Sequence, residues 1–213
     1  MKIIFFIKVI FFCLRYFFFG YKRYAQLLIL ILLKKPKSIL EIGVYTGLRS
    51  KEMLMAAGVF SKKLNFYGFD LFEDFKENLL IKEFSKKPLK KSTIKKTLDK
   101  YGKINLYKGF TQKTLPKFLK ENKKIDFVFI DGGHSLKTIN NDWKYIKKIM
   151  HKKTVVVFDD YYDDIKFTKK FGCNKLIYSL NKRKYNIKIH PLSDFFYNND
   201  KKISNNIVQI NFK

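Results

Sequence analysis

From residue 38 onward, short apolar runs alternate with segments in which apolar residues recur every three or four positions. Ser38–Gly43, Leu64–Asp70, Ile104–Lys108, Ile125–Asp131 and Thr154–Asp160 read as five strands. The unbroken apolar run of the fourth suits a strand covered on both faces. Between them, Leu48–Gly58, Leu89–Tyr101, Thr114–Asn122 and Ser135–Met150 read as helices. In the last, Leu136, Ile139, Trp143, Ile146 and Met150 follow steps of three and four and form one buried face, so Trp143 is a core residue. Residues 73–87 are charged and carry no clear period. A helix near Asn174–Asn181 and two strands, Tyr185–His190 and Asn206–Phe212, complete the chain.

Strands alternating with helices predict a doubly wound, Rossmann-like α/β fold, a mostly parallel seven-stranded sheet with right-handed crossovers. The last two strands are joined by the polar segment Asn198–Ser204, with no helix between them, and predict a C-terminal antiparallel hairpin.

Residues 1–33 follow another pattern. They are rich in Phe, Ile and Leu and hold no acid. Lys8, Arg15 and the pair Lys22-Arg23 break the run, so it is a poor membrane span, which needs roughly 18 or more consecutive apolar residues. It is also a poor secretory signal, lacking a small-residue cleavage site. Lys8, Arg15 and Lys22 are spaced by seven residues, almost two helical turns, and share one stripe of an amphipathic helix. Two readings stay open: a helix lying in an anionic membrane interface, or one packed on the rest of the protein with its cations in water. Pro36 ends the segment, dividing the chain into an N-terminal hydrophobic and basic helical segment, 1–36, and a main domain, 37–213.

The 213 residues carry 45 Lys+Arg against 18 Asp+Glu, a formal charge of +27. Such a surface favours anionic partners, or is simply solvated lysine. No basic block interleaved with stacking aromatics marks an RNA-binding module. There are only two cysteines, Cys13 and Cys173, which excludes a disulfide framework and makes a reducing, cytoplasmic setting the default; neither has a Cys or His at zinc-ligand spacing. Attachment at the inner face of the membrane goes with the interfacial reading of residues 1–33.

Ligands of open α/β sheets bind at the carboxyl ends of the strands. Here those ends are acidic: Glu41, Asp70, Asp131 and Asp159-Asp160. Gly43 and Gly47 free the first loop for close backbone approach. Their G-x-x-x-G spacing differs from the G-x-G-x-x-G of dinucleotide sites. Asp70, 23 residues past Gly47, is placed to accept both hydroxyls of a ribose, or to cap the following turn. Asp131, Asp159 and Asp160, at the ends of adjacent strands, form a candidate Mg²⁺ site; the alternative is a helix cap and a solvent-facing carboxylate. His134 is a candidate general base, a cofactor contact or a cap. His151 and His190 suggest no role.

The segments Glu41-Ile-Gly-Val-Tyr-Thr-Gly47 and Tyr67-Gly-Phe-Asp70 resemble the first two motifs of class I S-adenosylmethionine-dependent methyltransferases, and the resemblance covers about residues 37–213. Phe69-Asp-Leu-Phe-Glu73 is similar to a segment of the macrocin O-methyltransferase-like group. Ile130-Asp-Gly-Gly-His-Ser135, Asp142 with Tyr145, and Val157-Phe-Asp-Asp-Tyr161 are similar to segments of family 24. His151-Lys-Lys153 departs from the glycines usual before the fifth strand. The resemblance implies that Glu41, Gly43 and Gly47, with Tyr45, hold the methionine part of S-adenosyl-L-methionine. It implies that Asp70 holds the ribose, that Leu71 or Phe72 flanks the adenine, and that Asp131 borders cofactor and acceptor. Asp131, His134 and Asp159 would carry catalysis, with Mg²⁺ on Asp131, Asp159 and Asp160. Members methylate hydroxyls of sugars or small acceptors, several with a divalent cation.

Two alternatives remain. RNA ribose methylation would use the basic surface; base N-methylation is disfavoured, because Asp131-Gly-Gly-His134 stands where an Asn/Asp-Pro-Pro-Tyr segment is needed. A non-catalytic, membrane-associated cofactor-binding protein is the other.

Overall fold

Five of the apolar runs lie side by side, and the direction of each follows from the helix that precedes it. A computed structural model describes residues 2–198 and 200–213. Strands β1 (Ser38–Ile42), β2 (Asn65–Asp70), β3 (Lys103–Lys108), β4 (Phe127–Ile130) and β5 (Val155–Tyr162) pair in parallel in the order β3-β2-β1-β4-β5. The order reverses between β1 and β4, which makes that crevice the switch point. The sheet continues antiparallel through β8 (Lys201–Phe212) to β6 (Tyr185–Ile189).

Alternate strand residues feed two cores. Ile39, Phe66, Phe127, Phe129, Val155 and Val157 face one side; Leu40, Phe69, Val128, Ile130, Val156 and Phe158 face the other. The first core is covered by α1 (Lys2–Phe19), α2 (Lys22–Lys34), α3 (Leu48–Gly58) and α5 (Lys91–Leu98). The second is covered by α6 (Thr111–Leu119), α7 (Leu136–Ile149) and α8 (Asn174–Ser179). Trp143 is buried there between Phe158 and Tyr185.

Three features differ from the sequence expectation. The described residues hold an eighth strand, β7 (Asp194–Asn198), inside what reads as a loop. Of the polar connection expected over 198–204, position 199 lies outside the described residues, and 201–204 open β8 instead. At 12 residues β8 is long enough to pair with β7 along its first half and β6 along its second. The pattern of β7 was misleading because Phe195 and Tyr197 face solvent while Phe196 packs inward, so no polar face marks the strand. Second, the charged segment 73–87 contains a helical turn, α4 (Asn78–Lys82).

Third, the N-terminal segment is two helices. Gly20 (φ 94°) and Tyr21 (φ 67°) both adopt the left-handed conformation, which an α-helix cannot continue through. The stripe Lys8, Arg15, Lys22 is therefore cut before its last member. The inward side of α1, formed by Phe5, Val9, Phe12, Cys13 and Tyr16, joins the first core. Tyr16 donates a hydrogen bond to Glu52 of α3. The opposite side of α1 is exposed and mostly apolar.

The crossing of β1 and β4 is tight. Gly43 sits at φ 91°, and a Cβ there would lie 1.9 Å from the Asp131 carbonyl oxygen. Gly43→Ala therefore has to push the two strand ends apart. A loss of at least about 2 kcal/mol in unfolding free energy is expected from φ strain and overpacking together. Urea denaturation checks this; an unchanged midpoint would mean that the strand ends are free to move.

Candidate active site

The strand ends open into a cavity of about 810 Å³. Its walls are the loops after β1, β2, β3 and β4, its cover is the segment around α4, and one side is closed by Tyr21, Arg23 and Tyr24 of the N-terminal helices.

Asp70 ends β2 with a fixed carboxylate. One oxygen accepts the Tyr45 N–H at 2.8 Å and the other the Leu71 N–H at 2.6 Å. Burial raises its pKa, and these backbone bonds oppose the rise. The oxygen bonded to Leu71 also accepts the Phe72 N–H at 3.4 Å, so the carboxylate is held from the loop side while it borders the cavity, where a ribose diol could meet it. Gly43, Tyr45 and Leu71 line the cavity as well. Phe72 is fully buried behind it.

Glu41 and Gly47 are placed differently. Glu41 is fully buried and does not line the cavity; it accepts a hydrogen bond from Ser50 and so ties β1 to α3. Burial raises its pKa to about 8, the Ser50 bond only partly offsetting this. Gly47, at φ 76°, caps α3 and packs against Ile94.

The three aspartates after β4 and on β5 have different partners. A bulge in β5 between Phe158 and Tyr161, with Asp160 at φ 64°, redirects neighbouring side chains. Asp159 points towards α2, where the Arg23 Nε donates to it at 2.8 Å and the Tyr24 hydroxyl at 3.2 Å. The same guanidinium reaches Asp194 at 2.8 Å, and Asp194 also accepts the Lys22 N–H in the first turn of α2. Asp160 lies 3.0 Å from the His134 Nε2 and accepts hydrogen bonds from Tyr162 and Asn205. Burial disfavours its charge, but His134 beside it holds its pKa down to about 2. Burial would lower the His134 pKa; Asp160 reverses that and raises it. Asp159 is raised by burial, against the opposing pull of Arg23.

Asp131 is left without a cation in hydrogen-bond contact. It opens on the cavity, 3.9 Å from His134, and burial together with Asp159 and Asp160 raises its pKa well above the usual range. Of these three aspartates, Asp159 is thus paired with Arg23, Asp160 with His134, and Asp131 has no hydrogen-bond partner among the described residues. Ligand atoms of Asp131, His134 and Asp160 lie within 4.8 Å of one another, a set that fits a divalent cation. Asp159, expected in that set, is instead engaged by Arg23.

Sequence reasoning did not single out five contributors. Arg23 and Asp194 pair across the chain, which leaves no local signal. Gly109–Gln112 after β3 line the cavity beyond Asp70, and the strand-end rule already pointed there. Glu83 and Phe84 close the cover: the Glu83 carbonyl accepts the His134 N–H, and Phe84 packs on Phe167, Phe171 and Phe196.

Residues 40–161 match the methyltransferase domain designated family 24, and the chain belongs to that family. No curated protein matches it in sequence. Among solved structures, it is similar to an O-methyltransferase from Bacillus cereus in complex with SAH, with TM-score 0.60 and 13% identity over 90% of this chain and 81% of that one. It is also similar to the O-methyltransferase TomG from Streptomyces achromogenes, involved in tomaymycin synthesis and in complex with SAM. That match has TM-score 0.61 and 13% identity over 94% and 87% of the two chains. The fold is that of the class I methyltransferases.

Two predictions follow from the buried charges. Arg23→Met leaves the buried Asp159 and the partly buried Asp194 without their cation, so a loss of about 3–5 kcal/mol in unfolding free energy is expected. Adding Asp159→Asn recovers a large part of that loss in a double-mutant cycle; strict additivity would disprove the coupling. Glu41 keeps its proton in the folded state up to about pH 8 but loses it near 4.5 when unfolded. Its contribution to stability is therefore complete below pH 4.5 and declines as pH rises to 8. Glu41→Gln removes that decline: thermal midpoints of variant and parent should converge at acid pH and separate in favour of the variant towards pH 8.

Proposed function

We propose that this protein transfers the methyl group of S-adenosyl-L-methionine to a hydroxyl of a sugar or similarly small acceptor. The observation that carries the reading is Asp131, a carboxyl with no hydrogen-bond partner among the described residues, which opens on a cavity that also presents the fixed carboxylate of Asp70. The cavity is near the upper end of small-molecule sites, with room for a cofactor and one compact acceptor.

Asp70 receives the ribose hydroxyls. Leu71 and Phe110 offer apolar walls for the adenine, and Thr111 and Gln112 offer polar groups at its edge. The bare backbone at Gly43 lets the methionine part approach the β1–β4 crevice. The cofactor supplies an activated methyl on sulfur, and displacement there is in line. The chain must therefore position the acceptor and take its proton. Asp131 fits that task as hydrogen-bond acceptor to the attacking hydroxyl. Asp160 beside it favours the protonated form of His134 against burial, so without a metal it is suited to act as a donor and charge-balancing group. Arg23 keeps Asp159 neutralised, which lowers the repulsion that Asp131 would meet on taking up negative charge.

Asp131, His134 and Asp160 would hold a divalent cation, which would lower the acceptor's pKa. Two carboxylates and an imidazole suit Mn²⁺ or Zn²⁺ at least as well as Mg²⁺.

Methyl transfer to a panel of glycosides and small alcohols tests the reading. Asp131→Asn should lower kcat about 10²–10⁴-fold, the usual range for a positioned proton acceptor. Cofactor affinity should change far less. Full turnover by Asp131→Asn would move the chemistry elsewhere.

A further inference from the structure

The outward side of α1 carries exposed apolar residues that the cavity does not use. Ten large apolar side chains on this one helix, from Ile3 to Phe19, are each 40–83% exposed. A water-soluble surface scatters such residues singly, and a contiguous patch of this size marks an interaction site. Ile3, Ile7, Phe11, Leu14 and Phe18 follow steps of four, four, three and four, so they form one ridge along the helix, opposite the stripe buried on α3. Lys8 and Arg15 each sit one residue beyond a member of that ridge, which puts both on the same flank. Both are exposed, and neither makes a salt bridge among the described residues. The first acid of the chain is Glu41, so the helix brings no carboxylate of its own to this flank.

We infer that α1 docks this protein on the surface of an anionic lipid bilayer. The apolar ridge would enter the acyl boundary, and Lys8 and Arg15 would meet headgroup phosphates. A second copy of the chain is the weaker occupant: two ridges facing each other would bring four unpaired cations to one interface, in a chain already at +27. Crossing the bilayer is not open to α1, since no described helix is long and apolar enough. The helix is instead suited to lie in the interface: its inner face is tied to the protein through Val9 and Tyr16, and its outer face is free.

The docking face adjoins the cavity. The exposed aromatics end with Phe17, Phe18 and Phe19, and after the Gly20 turn Tyr21, Arg23 and Tyr24 line the cavity wall. A docked α1 would therefore bring the cavity to headgroup level. This placement does not depend on which reaction the cavity performs.

Co-sedimentation of the full chain with vesicles tests the inference, comparing phosphatidylcholine alone with phosphatidylcholine containing phosphatidylglycerol. Binding is expected to the anionic vesicles and to be much weaker on the neutral ones. Lys8→Glu with Arg15→Glu should reduce partitioning about tenfold or more, two cationic contacts being reversed. Ile7→Asp with Phe11→Asp should abolish it while leaving the thermal midpoint unchanged, because both side chains lie outside the core. Sedimentation equilibrium without lipid reads the competing occupant. A dimer that these aspartates dissociate, together with no vesicle binding, would overturn the inference. So would a monomer that binds neither kind of vesicle.

Discussion

The structure depends on the cost of burying carboxylates together. Asp131, Asp159 and Asp160 converge at the ends of β4 and β5, and without partners such a cluster would protonate or force the strand ends apart. The fold answers with cations from distant parts of the chain. His134 comes from the loop after β4, and Arg23 arrives from α2, 136 residues before Asp159 in sequence. One consequence is that the N-terminal helices belong to the site: removing them would expose a core and also strip Asp159 of its counter-ion. Another is selective. With Asp159 and Asp160 paired, Asp131 is the one of these three carboxyls that opens on the cavity with no hydrogen-bond partner among the described residues.

The pairing also couples regions that a methyltransferase domain could leave independent. Asp194, at the start of β7, shares Arg23 with Asp159 and closes the first turn of α2. The Phe84 cluster joins the cover of the cavity to β7 and to the loop after β5. The C-terminal strands therefore brace both the N-terminal helices and the cover over the cavity.

The parallel sheet, its strand ends and the acidic rim were legible in the sequence because they rest on local signals: apolar runs of strand length ending in an acid. Asp70 and Gly43 were readable for the same reason. What was not legible was relational. Nothing near Asp159 says that it faces an arginine from residue 23, and nothing near Glu41 says that its carboxyl turns to Ser50 rather than to the cavity. The left-handed pair Gly20-Tyr21 was hidden because only the glycine advertises such a turn. β7 was hidden because both of its faces carry aromatic residues. The double character of α1, packed on one side and bare on the other, followed from a helix apolar all round, which leaves its buried side undefined until α3 is in place.

At the centre of the proposed function, Asp70 binds the ribose of S-adenosylmethionine and the β1–β4 crevice receives its methionine part. Isothermal titration calorimetry of the full chain with S-adenosylhomocysteine tests it directly. The account predicts one site per chain, weakened by Asp70→Ala about tenfold to a hundredfold, the usual worth of hydrogen bonds to a charged acceptor. No binding to the parent chain, or equal binding by the Asp70→Ala variant, would contradict it.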